Sequence, residues 1–424
     1  GVTGAWIDSI PMFIISGQVP KKDMIKSTGT RQIGVQEINI SDIVKPITKF
    51  SVTVENPEQI DIYLNKAYDL MFEGRPGPVW LDIPLDVQSK IINKNKIKKL
   101  KKIKKVKRNK NDIAHILEKS INKSSRPVIV LGNGVHISKS EKLFSIFLNR
   151  LNIPAISSWN ASDIINSNHH LYVGRMGIFG DRAANFAIEG SDLIIVLGSR
   201  LSMPQTGYKT KIFAKKAKKI IIDISKTELN KNKLSKVILK HQSDLNIFFK
   251  ISNKHFKGKK IKQFKKWIGL LNYWKSKYPV MEKKYLNEKK GINSFHFINS
   301  LSKSLKGDET IVTDMGTSFT CTMQGFKIKN SNKQRLFTSS GLAAMGFGLP
   351  GAIGGYFAGK KNNIICITGD GGLMFNIQEL QTVSHYKIPM KIFVLENKGY
   401  LTMKLMQKKN FKRLVGSTPG SGIS

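Results

Sequence analysis

Two short segments carry residue types from which a cation-and-phosphate site can be built: Gly369-Asp370-Gly371-Gly372 and Glu396-Asn397-Lys398-Gly399. Asp370 offers a hard carboxylate oxygen and Asn397 an amide carbonyl. That donor set suits Mg²⁺, which keeps coordination positions open for phosphate oxygens. The glycines around Asp370 leave backbone N–H groups accessible to an anion. Cation and diphosphate would then hold each other in place, provided both segments reach one edge of the structure.

The flanking sequence predicts how they get there. Residues 364–367 are an unbroken apolar run, as in a strand buried on both faces of a parallel sheet. Beyond the glycines, Leu373, Ile377 and Leu380, widened by Met374 and Val383, predict one amphipathic helix. Pro389 opens a second apolar run over 390–395, where its missing N–H costs nothing. A right-handed strand–helix–strand crossover makes the two strands parallel and delivers both C-terminal ends to the same edge.

On these residues the segment resembles the thiamine-diphosphate signature, Gly-Asp-Gly followed after roughly two dozen residues by an Asn-Asn-type pair closing the next strand. Glu396 stands at the first Asn position, a departure, and Asn397 is retained. The resemblance implies Asp370, the side chain of Asn397 and the main-chain carbonyl of Gly399 as Mg²⁺ ligands, with Gly369, Gly371 and Gly372 beside the cofactor. Thr317 and Ser318, after an expected strand over 310–313, match positions that touch the diphosphate, and helix N-capping is the plain alternative. Met345, within Ser339-Ser-Gly-Leu-Ala-Ala-Met-Gly-Phe-Gly-Leu-Pro350, stands at the family's apolar wedge that bends the cofactor.

The segments AWIDSIPMFIISGQV, QEINISDIVKPITKF and GRPGPVWLDIPLDVQ resemble the pyrimidine-binding domain of acetolactate-synthase-like enzymes. Gln18 is there a candidate contact for substrate or cofactor, or a polar residue capping a loop. The family's catalytic glutamate is expected upstream of Gly1, and neither Glu37 nor Asp8 is assigned its role.

The fold class expected is α/β, with three Rossmann-like, doubly wound parallel-sheet domains, the first and last incomplete. Residues 1–93 would be the partial pyrimidine-binding domain, 94–110 a basic linker, 111–250 the central domain, 251–290 a helical linker with Trp267, Trp274 and Tyr278 packed on a neighbour, and 291–424 the diphosphate-binding domain. Within the central domain, a helix is expected over about 138–151 after Gly132-Asn133-Gly134. Gly174-Arg-Met-Gly-Ile-Phe-Gly180 resembles the family's flavin segment, yet 201–205 lacks the acidic-basic stretch of flavin-binding members, so FAD is admitted without being favoured.

Composition narrows the classes. The 424 residues are 40% hydrophobic and 23% charged, which is globular. No run reaches membrane-spanning length and no signal segment opens the chain, so a cytoplasmic protein is expected. The net charge of +41 comes from lysines spread along the chain, read as a composition bias acting on surfaces, and the cluster at 94–110 has no aromatic residue for base stacking; nucleic acid is not expected as a partner. Cys321 and Cys366 read as buried thiols, and the adjacent His169 and His170 as a surface loop pair with diverging rings.

The resemblance implies ThDP- and Mg²⁺-dependent decarboxylation of a 2-oxo acid such as pyruvate, with carboligation to a second 2-oxo acid, as in branched-chain amino acid biosynthesis. A homodimer or homotetramer is implied, and a regulatory subunit is a further partner. No tryptophan occurs at 401–406, where branched-chain acetolactate synthases usually place one. A related thiamine-diphosphate lyase, decarboxylase or carboligase, or a non-catalytic relative, is therefore the alternative.

Overall fold

The computed structural model describes residues 1–25, 28–92, 113–231, 234–288, 291–359 and 363–422. The expected basic linker at 94–110 lies outside them. The chain forms two compact units, Gly1–Asn109 and Lys110–Ser424, and contains three parallel sheets, an α/β architecture.

In the first unit, β1 (Met12–Gln18), β2 (Phe50–Thr53) and β3 (Pro78–Pro84) pair in the order β1-β3-β2. Central β3 is the most buried, and Val79 and Leu81 pack with Ala67 and Met71 of the helix Ile60–Phe72. Asn56 accepts from Glu58 N–H and Pro57 opens the turn, as the cap residues dictate.

The second unit holds two sheets. The larger runs β6-β5-β4-β7-β8-β9, built from β4 (Pro127–Leu131), β5 (Ala155–Ser157), β6 (Tyr172–Arg175), β7 (Leu193–Leu197), β8 (Lys218–Asp223) and β9 (Val237–Gln242). Every residue of β4 and β7 is buried, because helices cover both sheet faces. Phe147 illustrates the packing: its ring lies 5.4 Å from that of Phe249 and 5.8 Å from that of Phe248. The smaller sheet runs β11-β10-β12-β13, from β10 (Thr310–Thr313), β11 (Arg335–Phe337), β12 (Ile364–Gly369) and β13 (Met390–Leu395). The helix Lys265–Lys277 packs Trp267 into the central core, with Trp274 against it.

Four local expectations are corrected. The single helix after β12 is broken: Asp370–Met374 is helical, Asn376 leaves the helical region at φ −140°, and Leu380–His385 resumes. The Asn376 side-chain amide donates to the Gly346 carbonyl at 2.8 Å, while its backbone N–H still bonds the Leu373 carbonyl at 3.2 Å. Consequently Leu373 and Val383 pack on Leu349 and Ile353, while Met374, Ile377 and Leu380 stay exposed. The helix expected at about 138–151 is a turn, Gly134–Ile137, followed by Glu141–Leu151, since Lys139 takes a positive φ of 52°. His169 and His170 do not diverge; they lie in a turn, and their rings stack 4.7 Å apart. Lysine is not purely a surface residue either: Lys219 is fully buried, its ammonium donating to the carbonyls of Ala214, Ala217 and Ser235. Burial pulls it down to about 8.

Cys321 and Cys366 are free and buried, and burial pushes their thiols up to about 11 and about 12. Among the described residues no helix is long and apolar enough to cross a membrane.

Candidate functional site

In the four-stranded sheet the chain adds β11 outside β10, then crosses back to add β12 and β13 on the other side. A sheet wound both ways from one point opens a crevice beyond the C-terminal ends of the two strands where direction reverses. Those strands are β10 and β12, and the residues leaving them are Asp314 and Gly369-Asp370.

Asp370 is nearly buried at 8% exposure. One carboxylate oxygen accepts from Gly371 N–H at 2.9 Å. The other accepts from Asn397 N–H at 3.1 Å and Gly399 N–H at 3.0 Å. One side chain thus ties the end of β12 to the loop after β13, the juxtaposition that the strand–helix–strand reading required. The loop turns sharply, with Lys398 at φ 59° and Gly399 at φ 110°, where a β-carbon at Gly399 would be strained.

The amide oxygen of Asn397 is buried and accepts no hydrogen bond among the described residues. A buried acceptor left bare costs roughly 1–3 kcal/mol. A hard cation would satisfy it. The Gly399 carbonyl accepts from Leu401 N–H at 3.1 Å and keeps a second lone pair. Carboxylate, amide oxygen and main-chain carbonyl therefore fit Mg²⁺ in kind. Glu396, at the departure from the signature, is exposed and turns back to accept from Lys398 N–H.

Asp314, which the sequence reading left without a role, is fully buried. Its carboxylate accepts from Met315 N–H at 2.7 Å, Gly346 N–H at 3.0 Å and the Thr368 hydroxyl at 3.0 Å. Burial pushes this carboxyl up, against the pull of those donors. The hydrogen bonds join β10, β12 and the loop carrying Met345. That loop is pinned again where Asn376 donates to the Gly346 carbonyl. Gly346 has φ 85°, and a β-carbon there would lie 2.6 Å from the Phe375 β-carbon. Met345, next to this anchor, is an apolar side chain held 37% exposed.

The remaining candidates sort by what their polar atoms do. Thr317 opens the helix Thr317–Gly325 and is half-buried; Ser318 is fully buried, and its hydroxyl donates to the Asp314 carbonyl. Gly371 and Gly372 are sites of close approach: a β-carbon would come within 2.3 Å of the Tyr400 ring and 2.7 Å of an Asp314 carboxylate oxygen, respectively. Gly369 ends β12 without such crowding. In the first unit, the Gln18 amide donates to the Ile38 carbonyl at 2.7 Å and to buried Asp82 at 3.1 Å, and its oxygen accepts from Val19 N–H. Glu37 accepts from Ile33 and Gly34 N–H and organises its own loop.

Lys404 was also missed. It donates to the carbonyls of Asn397 at 2.8 Å and Lys398 at 2.9 Å, bracing the ligand loop from the helix Leu401–Phe411. In so lysine-rich a chain nothing marks this lysine; Asp314 could have been suspected as a carboxylate leaving the short expected strand at 310–313.

The corresponding crevice of the larger sheet, between β4 and β7, is shut by backbone: Gly134 N–H donates to the Gly198 carbonyl, and a β-carbon at Gly132 would lie 2.0 Å from that oxygen. These glycines serve close packing there, with no open phosphate cradle between them.

The sequence of this chain is similar to known proteins and families. Residues 114–248 match the family described as thiamine pyrophosphate enzyme, central domain, and residues 314–421 the thiamine pyrophosphate enzyme, C-terminal TPP binding domain. The chain is 31% identical over 415 residues to the probable acetolactate synthase large subunit of Methanocaldococcus jannaschii, covering 94% of this chain and 67% of that protein. It is 33% identical over 427 residues to the probable acetolactate synthase large subunit of Methanococcus aeolicus, with the same coverage. Against the acetolactate synthase isozyme 1 large subunit of Escherichia coli identity is 30% over 398 residues, again 94% of this chain and 67% of the relative. The chain thus spans about two thirds of the length of these relatives, and it belongs to the acetolactate synthase large-subunit family of thiamine pyrophosphate enzymes.

Proposed function

We propose that the protein decarboxylates a 2-oxo acid, pyruvate in the first instance, and joins the product to a second 2-oxo acid, using thiamine diphosphate anchored by Mg²⁺. The observation that carries this reading is the buried, unpartnered amide oxygen of Asn397 beside the Asp370 anchor. Asp370, the Asn397 oxygen and the Gly399 carbonyl would hold the cation, with Thr317 and the N-terminus of its helix facing the diphosphate. When bound, thiamine diphosphate supplies the carbon nucleophile and the electron sink for decarboxylation. The chain's own residues position and exclude: Asp314 and Asn376 fix the Met345 loop, Met345 presents an apolar surface against which a cofactor can be bent, and Lys404 braces the ligand loop.

A second copy of the chain fits the exposed apolar surface around this site. The helix Leu401–Phe411 has no buried residue, although Met403, Leu405, Met406 and Phe411 lie on it and are exposed. Such surface marks an interface. A homodimer or homotetramer is accordingly proposed, and a regulatory subunit is a further partner, because the relatives are named large subunits.

A second reading keeps the cofactor and changes the acceptor, because no tryptophan occurs at 401–406. Acetolactate formation from pyruvate by the full-length gene product, with and without ThDP and Mg²⁺, tests the proposal. Cofactor-dependent product supports the synthase. Saturable ThDP binding without product transfers the function to another 2-oxo acid or to a non-catalytic relative, and absence of ThDP binding overturns both.

A further inference from the structure

Away from the diphosphate site, His115 and Glu118 of the helix Ile113–Lys123 meet His255 at the end of the helix Leu245–His255. One ligand atom from each lies within 4.8 Å of the others. The histidine rings are edge to face with centroids 4.3 Å apart. Glu118 and His255 are three-quarters or more buried at the side chain, so neither is a freely waving surface group.

At the centre of this cluster an imidazole nitrogen and an ammonium converge on one carboxylate oxygen. His255 Nε2 lies 2.7 Å from a Glu118 carboxylate oxygen and 3.0 Å from the Lys259 ammonium. The ammonium is also 2.6 Å from the same Glu118 oxygen. A ring nitrogen is either a donor or an acceptor. If Nε2 carries the proton it donates to Glu118, and that ring N–H and the Lys259 ammonium then crowd a single carboxylate oxygen. If it is bare it accepts from Lys259 and sets its lone pair against the carboxylate. A cation with empty coordination positions would take the imidazole and carboxylate lone pairs together, where an ammonium now lies against both groups.

We propose that His115, Glu118 and His255 form a binding site for a divalent transition-metal ion of the zinc class, with Lys259 as the competing internal cation. Two imidazoles and one carboxylate are a donor set that zinc accepts at about 2.0–2.2 Å, leaving a fourth position for water. Tetrahedral ligands at that range lie about 3.3 Å apart, so Glu118 and His255 separate slightly and His115 closes in. Lys259 is about a third exposed and can swing to solvent. A bound ion would pin the first described helix of the second unit to the helix Leu245–His255. The inference is independent of the thiamine reading.

The test is Zn²⁺ titration of the untagged full chain against a chromophoric chelator, in saturating Mg²⁺ so that the oxygen-rich site is blocked. One Zn²⁺ per chain at micromolar Kd is expected, with a rise in melting midpoint. Lys259→Met should tighten binding at least about threefold by removing the competitor, and the paired variant His115→Ala with His255→Ala should weaken it at least about tenfold. Far-UV circular dichroism of the metal-free variants reports on folding. Should the paired variant misfold, Glu118→Gln, a substitution of equal size, must lose binding by a similar factor. Absence of stoichiometric binding, binding that survives these variants, or weaker binding by Lys259→Met would each overturn the proposal.

Discussion

The six-stranded and four-stranded sheets share one compact unit and the same two-way winding, yet they treat their crevices and apolar side chains in opposite ways. At the β4–β7 crevice of the larger sheet, glycine backbones touch and hydrogen-bond across the opening. At the β10–β12 crevice of the smaller, two buried carboxylates and an unpartnered amide oxygen line the opening. In the larger sheet β4 and β7 are buried throughout. On β13 no residue is buried, and Val394 is 43% exposed. Winding creates the place for a site; the side chains at the strand ends decide whether it becomes one.

Substitutions can break this contrast. The largest effect is expected inside the larger sheet's core. Phe147→Ala should cost about 3–5 kcal/mol in urea unfolding, while the fraction that remains folded keeps its ThDP affinity. A parallel loss of affinity would mean that the two regions are not separable. Asp370→Ala should act the other way, lowering cofactor-dependent turnover at least about a hundredfold, although the far-UV spectrum is retained.

Asn397→Ala sharpens the argument about the bare oxygen. Without metal its melting midpoint should hold or rise, because a buried acceptor worth about 1–3 kcal/mol of desolvation is removed. With Mg²⁺ and ThDP the stabilisation seen in the parent should vanish. A drop in the metal-free midpoint would show that the oxygen has a structural partner. Met345→Ala is expected to lower kcat about tenfold with ThDP affinity little changed, the pattern of a residue acting on cofactor shape.

The smallest effect is a pH dependence where the two sheets meet. His136 lies 2.7 Å from both Glu141 and buried Asp163, and Arg335 also reaches Asp163. Burial opposes charge on the imidazole, but Asp163 and the hydrogen bonds to both carboxylates prevail over that and over Arg335, and raise its pKa. A raised histidine contributes stability that is fully present below about 6.5, its unfolded value, and lost as pH climbs through the folded one. The parent should therefore melt progressively lower above pH 6.5 and His136→Gln should not; identical profiles would remove His136 from the junction.

Much of this was legible beforehand. Strand β12 follows from a short unbroken apolar run, because a strand buried between helices has no polar face to display; β10 and β13 are legible from runs that are only partly apolar. Asp370 and Asn397 stood out in the sequence because few residue types are able to ligate a hard cation, and the fold brings the two segments together. The break at Asn376 was not, because the apolar spacing across it is still helical; only the fold brings the Gly346 carbonyl, 30 residues away in sequence, within reach of its side-chain amide.

By itself, then, the sequence determined the family, the alternation of strands and helices, and the residue types able to hold a cation and a diphosphate, since these depend on local periodicity and chemistry. Tertiary structure alone decided that Asp314 knots three segments, that Ser318 turns inward, that Gln18 is spent on Asp82 and Ile38, and that two histidines from separate helices converge on Glu118. Each of these depends on which distant group fills the space beside a side chain, and the packing of the sheets and helices sets that neighbour.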